Sequence, residues 1–319
     1  MRVLVAGGTG AIGIPLVRQL VAHGHHVTAT SRRPDRADRL RALGATVATM
    51  DGLDAASVGE AVARAEPDAI IHQMTSLSGT PDMRHFDRWF ARTNALRTTG
   101  TRNLLAAAQA AGVDRVIVQS YAGWNIDRRG RGPATEDEPL DAHPAPAQRE
   151  TLEAFSVLEQ SVTAAPLAGI VLRYGNLYGP GASDAYVDMV RKRMLPIIGS
   201  GAGVWSWIHI DDAASATVAA LERGEPGIYH VADDEPAPVA EWLPYLAQSV
   251  GAKPPLHLPA WLGRLAAGEV VVRMMTDVRG VSNAKAKWVL DWRPRWATWR
   301  DGFRRALGES AADRREAAA

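Results

Sequence analysis

Cysteine is absent from the 319 residues, which excludes disulfides, thiolate metal centres and a cysteine nucleophile together and fits a reducing, cytoplasmic setting. Lysine is scarce, confined to Lys192, Lys253, Lys285 and Lys287, while arginine supplies the rest of the 36 basic side chains. No apolar run approaches the ~20 residues of a membrane span. The apolar opening at 3–6 is cut short by glycines, as expected of a strand rather than a secretory leader. With a net charge of +1 the chain has no excess of one sign, and nucleic-acid and membrane surfaces both call for a concentrated basic face; neither partner is expected. His23, His25 and His26 cluster without a carboxylate or further histidine at ligand spacing, so no metal is expected either. What remains is a globular chain, 46% hydrophobic and 22% charged, long enough for two lobes and suited to a small-molecule ligand.

The stretch that organises the rest is Gly7-Gly8-Thr9-Gly10-Ala11-Ile12-Gly13, placed between an apolar run at 3–6 and a helical pattern at 14–23. Glycines allow a tight turn and close approach to a pyrophosphate, whose charge then rests on the free amides of the following helix. Gly7, Gly10, Ala11, Ile12 and Gly13 are the candidate cradle. At the end of the next strand (27–31), where a carboxylate would hold a ribose 2'-hydroxyl, stand Ser31, Arg32 and Arg33. An arginine pair suits a 2'-phosphate, so NADP(H) is the expected cofactor.

Apolar runs alternate with helical patterns through the first half: a helix at 36–43, strands at 46–50 and 69–72, a long helix at 86–112, strands at 113–119 and 169–173, and a helix at 148–162 between them. That order predicts a doubly wound parallel sheet with the ligand outside the strands' C-terminal ends. The stretch 123–146, dense in Gly, Pro, Asp and Arg, is too long for a plain connector and is expected to be a functional loop over the cleft. A helix is expected at 182–195, and from residue 233 a second lobe begins. The tryptophans concentrate late, eight of the ten from Trp205 onward. The tail 309–319 is repetitive and is expected to be disordered.

Together these motifs resemble the extended short-chain dehydrogenase/reductase family, which includes sugar-nucleotide epimerases, dehydratases and ketone reductases. The resemblance rests on the opening turn, Asp51, the run Gly100-Thr101-Arg102-Asn103-Leu104-Leu105, the run 172–181 (Leu-Arg-Tyr-Gly-Asn-Leu-Tyr-Gly-Pro-Gly), Ile208-His209-Ile210-Asp211-Asp212 and Ser282-Asn283-Ala284-Lys285. It implies an α/β Rossmann domain over 1–175 plus about 203–232, and a smaller, mainly C-terminal substrate lobe over about 176–202 plus 233–308. It further implies that Asp51 and Gly52 meet the adenine, that Gln73 and Met74 line the cofactor channel, and that Tyr174, Asn176 and Leu177 back the nicotinamide. A homodimer through the helices at 86–112 and 148–162 is implied as well.

The family's catalytic pair, a tyrosine four residues before a lysine, is missing. Counted back from Glu159, the two positions hold Thr151 and Phe155. The neighbouring serine position falls in Gln119-Ser120-Tyr121, which makes Tyr121, or water ordered by Ser120, the candidate proton donor; equally, Tyr121 fills space left by the missing tyrosine. An arginine that grips a diphosphate in the epimerases is replaced by Trp205. Trp124, Tyr178, Trp205 and Trp207 are therefore candidate walls for an apolar substrate, with simple packing between lobes as the alternative for Trp205 and Trp207. His209 is read as structural, with an aspartate capping the following helix; His143 is an exposed loop residue; Glu136-Asp137-Glu138 is a solvated face. The expected activity is NADPH-dependent reduction of a small, rather hydrophobic carbonyl, conjugated or imine substrate. A redox-silent NADP(H) sensor and a non-redox lyase, isomerase or cyclase stand as alternatives.

Overall fold

The computed structural model describes residues 1–33, 37–77, 79 and 81–307; the expectation for 309–319 lies outside them. The first half runs β1 (Arg2–Ala6), α1 (Gly13–Ala22), β2 (His26–Ser31), α2 (Ala37–Ala42), β3 (Thr46–Thr49), α3 (Ala55–Ala65), β4 (Ala69–His72), α4 (Phe86–Ala95), α5 (Thr101–Ala110), β5 (Arg115–Tyr121), α6 (Arg149–Thr163) and β6 (Ala168–Tyr174). There follow β7 (Asn176–Tyr178), α7 (Asp184–Arg191), β8 (Ile197–Ile198), β9 (Val204–Trp205), β10 (Trp207–His209), α8 (Ile210–Arg223), β11 (Gly227–Val231), β12 (Ala237–Pro238), α9 (Val239–Ser249) and β13 (His257–Leu258). Among the described residues seven strands form one sheet in the order β11-β6-β5-β4-β1-β2-β3, and every pairing in it is parallel.

Parallel strands are covered by helices on both faces, which is why β4 is buried at all four positions. Alternation along each strand sorts the side chains. Ile117 joins Leu16, Val17 and Leu20 of α1 and the alanines of α8. Val116 and Val118 join Val62 of α3, Leu104 of α5 and Leu158 of α6 on the other face. The order in which strands are added reverses between β1 and β4, so the crevice beyond their C-terminal ends is the ligand position of this architecture. A separate apolar core gathers α7, α9, the helix Glu269–Thr276 and the segment 299–307 around Trp205, Trp207, Trp242 and Trp299.

Three segments depart from the sequence reading. The helix expected at 86–112 contains one wide turn over Leu96–Gly100. There the Leu96 carbonyl accepts from His72 Nε2 at 3.2 Å and the Asn94 carbonyl from the Thr98 hydroxyl at 3.0 Å, so two acceptors are drawn out of the regular ladder. The helix expected at 182–195 ends at Arg191, because Arg193 takes a left-handed φ of 54° and its Nε reaches the Pro254 carbonyl. The stretch 123–146, expected as a functional loop, is pinned along its length: Ile126 bridges Leu140, Ala134 bridges Val281, and Arg279 donates to the carbonyls of Arg129 and Gly132 and to Glu138. It fastens the sheet to the second core.

Candidate active site

The glycine turn is tied to β2 by Gly7 N–H on the Thr30 hydroxyl (3.2 Å) and Gly8 N–H on the Thr30 carbonyl (3.1 Å). Gly7 has φ 94°, and a Cβ on Gly13 would stand 2.4 Å from the Gly7 carbonyl oxygen and 2.6 Å from Gly8 C, so only glycine closes this turn. Gly10 differs. It is exposed, and a Cβ there would meet only the Gly7 carbonyl at 3.4 Å. Its bare face is turned to whatever binds. The N-cap of α1, Ile12, offers no side-chain acceptor, and the first turn contains no acidic residue. The amides of Ala11, Ile12 and Gly13 therefore fit an external anion such as a pyrophosphate.

Farther along the crevice, Asp51 is braced by its amide on the Ser57 hydroxyl and by Leu53 N–H on its Oδ1. A Cβ on Gly52 would lie 2.5 Å from Met74 Sδ, so this glycine is what lets Met74 lie over it. Arg32 and Arg33 are exposed past the end of β2, and the Ser31 hydroxyl bonds the Arg33 backbone.

Gln73 and Tyr174 form the floor. Thr217 donates to the Ala213 carbonyl (2.7 Å), so it accepts from the Tyr174 hydroxyl (2.6 Å), whose oxygen in turn accepts from Gln73 Nε2 (3.0 Å). Tyr174 is 1% exposed, and burial raises its pKa to about 12. It thus supports Gln73 from beneath. Gln73 Oε1 is buried and has no partner among the described residues. Leu177 is half-buried against the sheet core, and Asn176 Nδ2 is held by the Ser206 carbonyl (3.0 Å).

Strand β5 extends to residue 121 and sends its last two side chains to opposite faces. Ser120 is buried, and its hydroxyl donates to Glu159 Oε1 at 2.7 Å; Glu159 is also gripped by Arg173 through Nε (2.8 Å) and Nη2 (2.6 Å). The Ser120 hydroxyl proton is directed at a buried ion pair, and its oxygen keeps its acceptor capacity. The Tyr121 hydroxyl donates to Asn176 Oδ1 at 3.0 Å, and burial pushes its pKa well above the ordinary phenol value. Its ring stacks on Phe155 and lies near Trp124.

The expected aromatic cleft walls are also corrected. Tyr178, Trp205 and Trp207 are 0%, 3% and 2% exposed and belong to the second core. Trp205 Nε1 donates to the Met274 carbonyl, and its ring packs 4.9 Å from that of Trp242. Indoles gain most when buried against one another, and these three rings bury each other. Trp124, 8% exposed, is buried in the same core, beside Phe86 and Phe155. The cap of α8 is His209 itself, whose Nδ1 accepts from Asp211 N–H, while Asp212 accepts the amides of Arg295 and Trp296. Glu136 is no solvated residue, since it accepts from His230 N–H at 2.7 Å. His23 and His25 both meet Glu222.

On α6, Thr151 and Phe155 stand where the family resemblance places its tyrosine and lysine. Thr151 accepts from Asn94 Nδ2 and donates to Asp87 Oδ1. Over the Phe155 ring, 3.8 Å from its centroid, lies the guanidinium of Arg97, which also donates to Asn94 Oδ1. Sequence reasoning missed Arg97. Its spacing from Phe86 and Phe90 sets a charge on the apolar face of the long helix, a signal that periodicity carries.

The NAD dependent epimerase/dehydratase family model matches residues 3–232. The chain belongs to that family. It is 44% identical to a 3-diazoavenalumate denitrifying reductase of a Streptomyces species over 96% of this chain and all of that one. It is 30% identical to a 2-alkyl-3-oxoalkanoate reductase of Stenotrophomonas maltophilia, over 79% of this chain and 76% of the relative. The UDP-glucose 4-epimerase of Thermotoga maritima, solved with UDP-glucose, superposes with a TM-score of 0.76 at 22% identity, covering 98% of this chain and 99% of the other; it shares the fold. Family members have been solved with NAD bound. With reductases among its relatives, the chain is an oxidoreductase.

Proposed function

We propose that the protein is an NADPH-dependent reductase of an aromatic carboxylic acid bearing a diazonium group, which it converts to the arene with loss of dinitrogen. The observation that carries this reading is the state of the proton donors. Thr151 and Phe155 replace the tyrosine–lysine pair, and the Tyr121 hydroxyl donates its hydrogen bond to Asn176 Oδ1 with its acidity suppressed by burial. Reduction of a carbonyl builds an oxyanion that a nearby acid must quench. A diazonium ion is already positive, so hydride arrival cancels charge. The balance Ar–N2⁺ + NADPH → Ar–H + N2 + NADP⁺ draws no proton from a side chain, and the carbonyl and imine substrates expected from the sequence need one.

When bound, the cofactor supplies the hydride. The amides of Ala11, Ile12 and Gly13 would hold its pyrophosphate, Arg32 and Arg33 its 2'-phosphate, and Asp51 and Gly52 its adenine. Tyr121 fixes Asn176, and Tyr174 fixes Gln73, so the two amide side chains at the floor keep one orientation. Phe90, Trp124 and Phe155 exclude water from the reacting end. The named diazo substrate of the 44% identical relative supports the same chemistry. The test is consumption of nicotinamide absorbance when the NADPH complex meets an arenediazonium carboxylate, with dinitrogen and the arene as products. Consumption with a ketone panel alone would overturn the substrate class.

A further inference from the structure

We propose that Arg97 is the receptor for the substrate's carboxylate, and that the ligand it takes is a planar aromatic acid laid against Phe90, Trp124 and Phe155. This deepens the reductase reading and rests on it for the direction in which the substrate lies.

Arg97 is 7% exposed, and long charged side chains are rarely buried unless paired. Among the described residues no carboxylate reaches it; Asn94 Oδ1, at 3.1 Å, is its acceptor. The nearest acid in the same network, Asp87, is already used: its oxygens accept the amides of Glu150 and Thr151 and the Thr151 hydroxyl at the start of α6. One hydrogen bond leaves most of a guanidinium's five N–H groups to spare, in the planar fork that matches a carboxylate. Burial pulls the Arg97 pKa down to about 9, and the group stays cationic at neutral pH. An arriving anion would relieve that desolvation.

The surroundings fix what carries the anion. The guanidinium lies 3.8 Å over Phe155 and 5.7 Å from Phe90, Phe155 stacks on Tyr121, and Trp124 stands edge-on to Phe155. These rings form an apolar aromatic cluster beside the guanidinium. Its place is set by the wide turn at Leu96–Gly100, which His72 at the end of β4 holds open. The pyrophosphate cradle follows β1, two strands away from β5, about 10 Å across the sheet. The charge itself lies over Phe155 of α6, whose ring stacks on Tyr121 at the end of β5.

Calorimetric titration of the NADP⁺-loaded protein with trans-cinnamate and with uncharged cinnamamide tests this without turnover. The native chain is expected to prefer the acid by about 30-fold or more. Arg97→Met abolishes that preference, Arg97→Lys keeps part of it, and NADP⁺ affinity is the same in all three. Equal affinity of the native chain for acid and amide, or an undiminished preference in Arg97→Met, overturns the proposal; so does a loss of NADP⁺ affinity, which would put the guanidinium on the cofactor. Should Arg97→Met not fold, Arg97→Lys decides: weakened cinnamate with unchanged cinnamamide supports the receptor, and unchanged cinnamate overturns it. A protein that binds cinnamate through Arg97 yet reduces no diazonium compound would refute the reaction and leave the receptor standing.

Discussion

The Tyr121 hydroxyl donates to Asn176 Oδ1 at 3.0 Å, so this phenol holds an amide in place and is not poised to release a proton. Burial reinforces this by raising its pKa above the ordinary phenol value. For a reaction that consumes no side-chain proton, Tyr121→Phe should leave the rate of hydride transfer within about fivefold of the native value, since loss of one neutral hydrogen bond costs about 1 kcal/mol or less at a supporting position. The kcat of the variant, measured with an arenediazonium acid, checks this. A thousandfold fall would make Tyr121 the acid after all.

The two kinds of glycine in the opening turn should separate in experiment. Gly13→Ala forces a methyl within 2.4 Å of the Gly7 carbonyl and should lower the melting temperature by several degrees, about 2 kcal/mol or more. Gly10→Ala meets only one atom, at 3.4 Å, and should change stability by under about 0.5 kcal/mol. Its methyl would instead obstruct the pyrophosphate, so NADPH affinity should fall. Melting curves and cofactor titrations on both variants read the two effects independently.

Replacing Arg32 and Arg33 together with alanine should weaken NADPH by about 10- to 100-fold and leave NADH nearly unchanged, because only the former carries a 2'-phosphate for the guanidinium groups to grip. Equal weakening of both cofactors would show that the pair is a solvated surface feature.

His72 gives a pH signature. Its Nδ1 accepts from Met74 N–H, so the proton sits on Nε2 and goes to the Leu96 carbonyl; the ring is neutral, and burial lowers its pKa from 6.5 to about 4. The folded state therefore binds this proton less readily than the unfolded chain does. The stability that His72 contributes is full above pH 6.5 and is lost as the pH falls towards 4, by roughly 3 kcal/mol in all. Denaturant unfolding across that range should show the loss, with a shallower slope in His72→Gln.

The parallel sheet, the glycine cradle and most strand boundaries were legible because they follow from local rules: apolar runs of strand length, glycines between strand and helix, and the alternation that demands crossovers. The tryptophans misled for a physical reason. Trp205 and Trp207 occupy a segment that in the resemblance faces a ligand, but whether an indole faces a cleft or a core depends on what packs opposite, and here Trp242 and Phe303 do. The bond from Ser120 to Glu159 was not legible, since the two lie 39 positions apart and only the strand's pleat says which side Ser120 takes. Arg97 escaped because its meaning comes from Phe155 and Asn94, brought to it by the wide turn.

The most direct test of the central claim is a single-turnover reaction of the NADPH complex, deuterated at the transferable hydride, with an arenediazonium carboxylate. The account predicts that deuterium leaves the nicotinamide, dinitrogen is released, and the arene forms at a rate that Tyr121→Phe hardly changes. No consumption of NADPH with the diazonium acid, or consumption that stops in Tyr121→Phe, would contradict it.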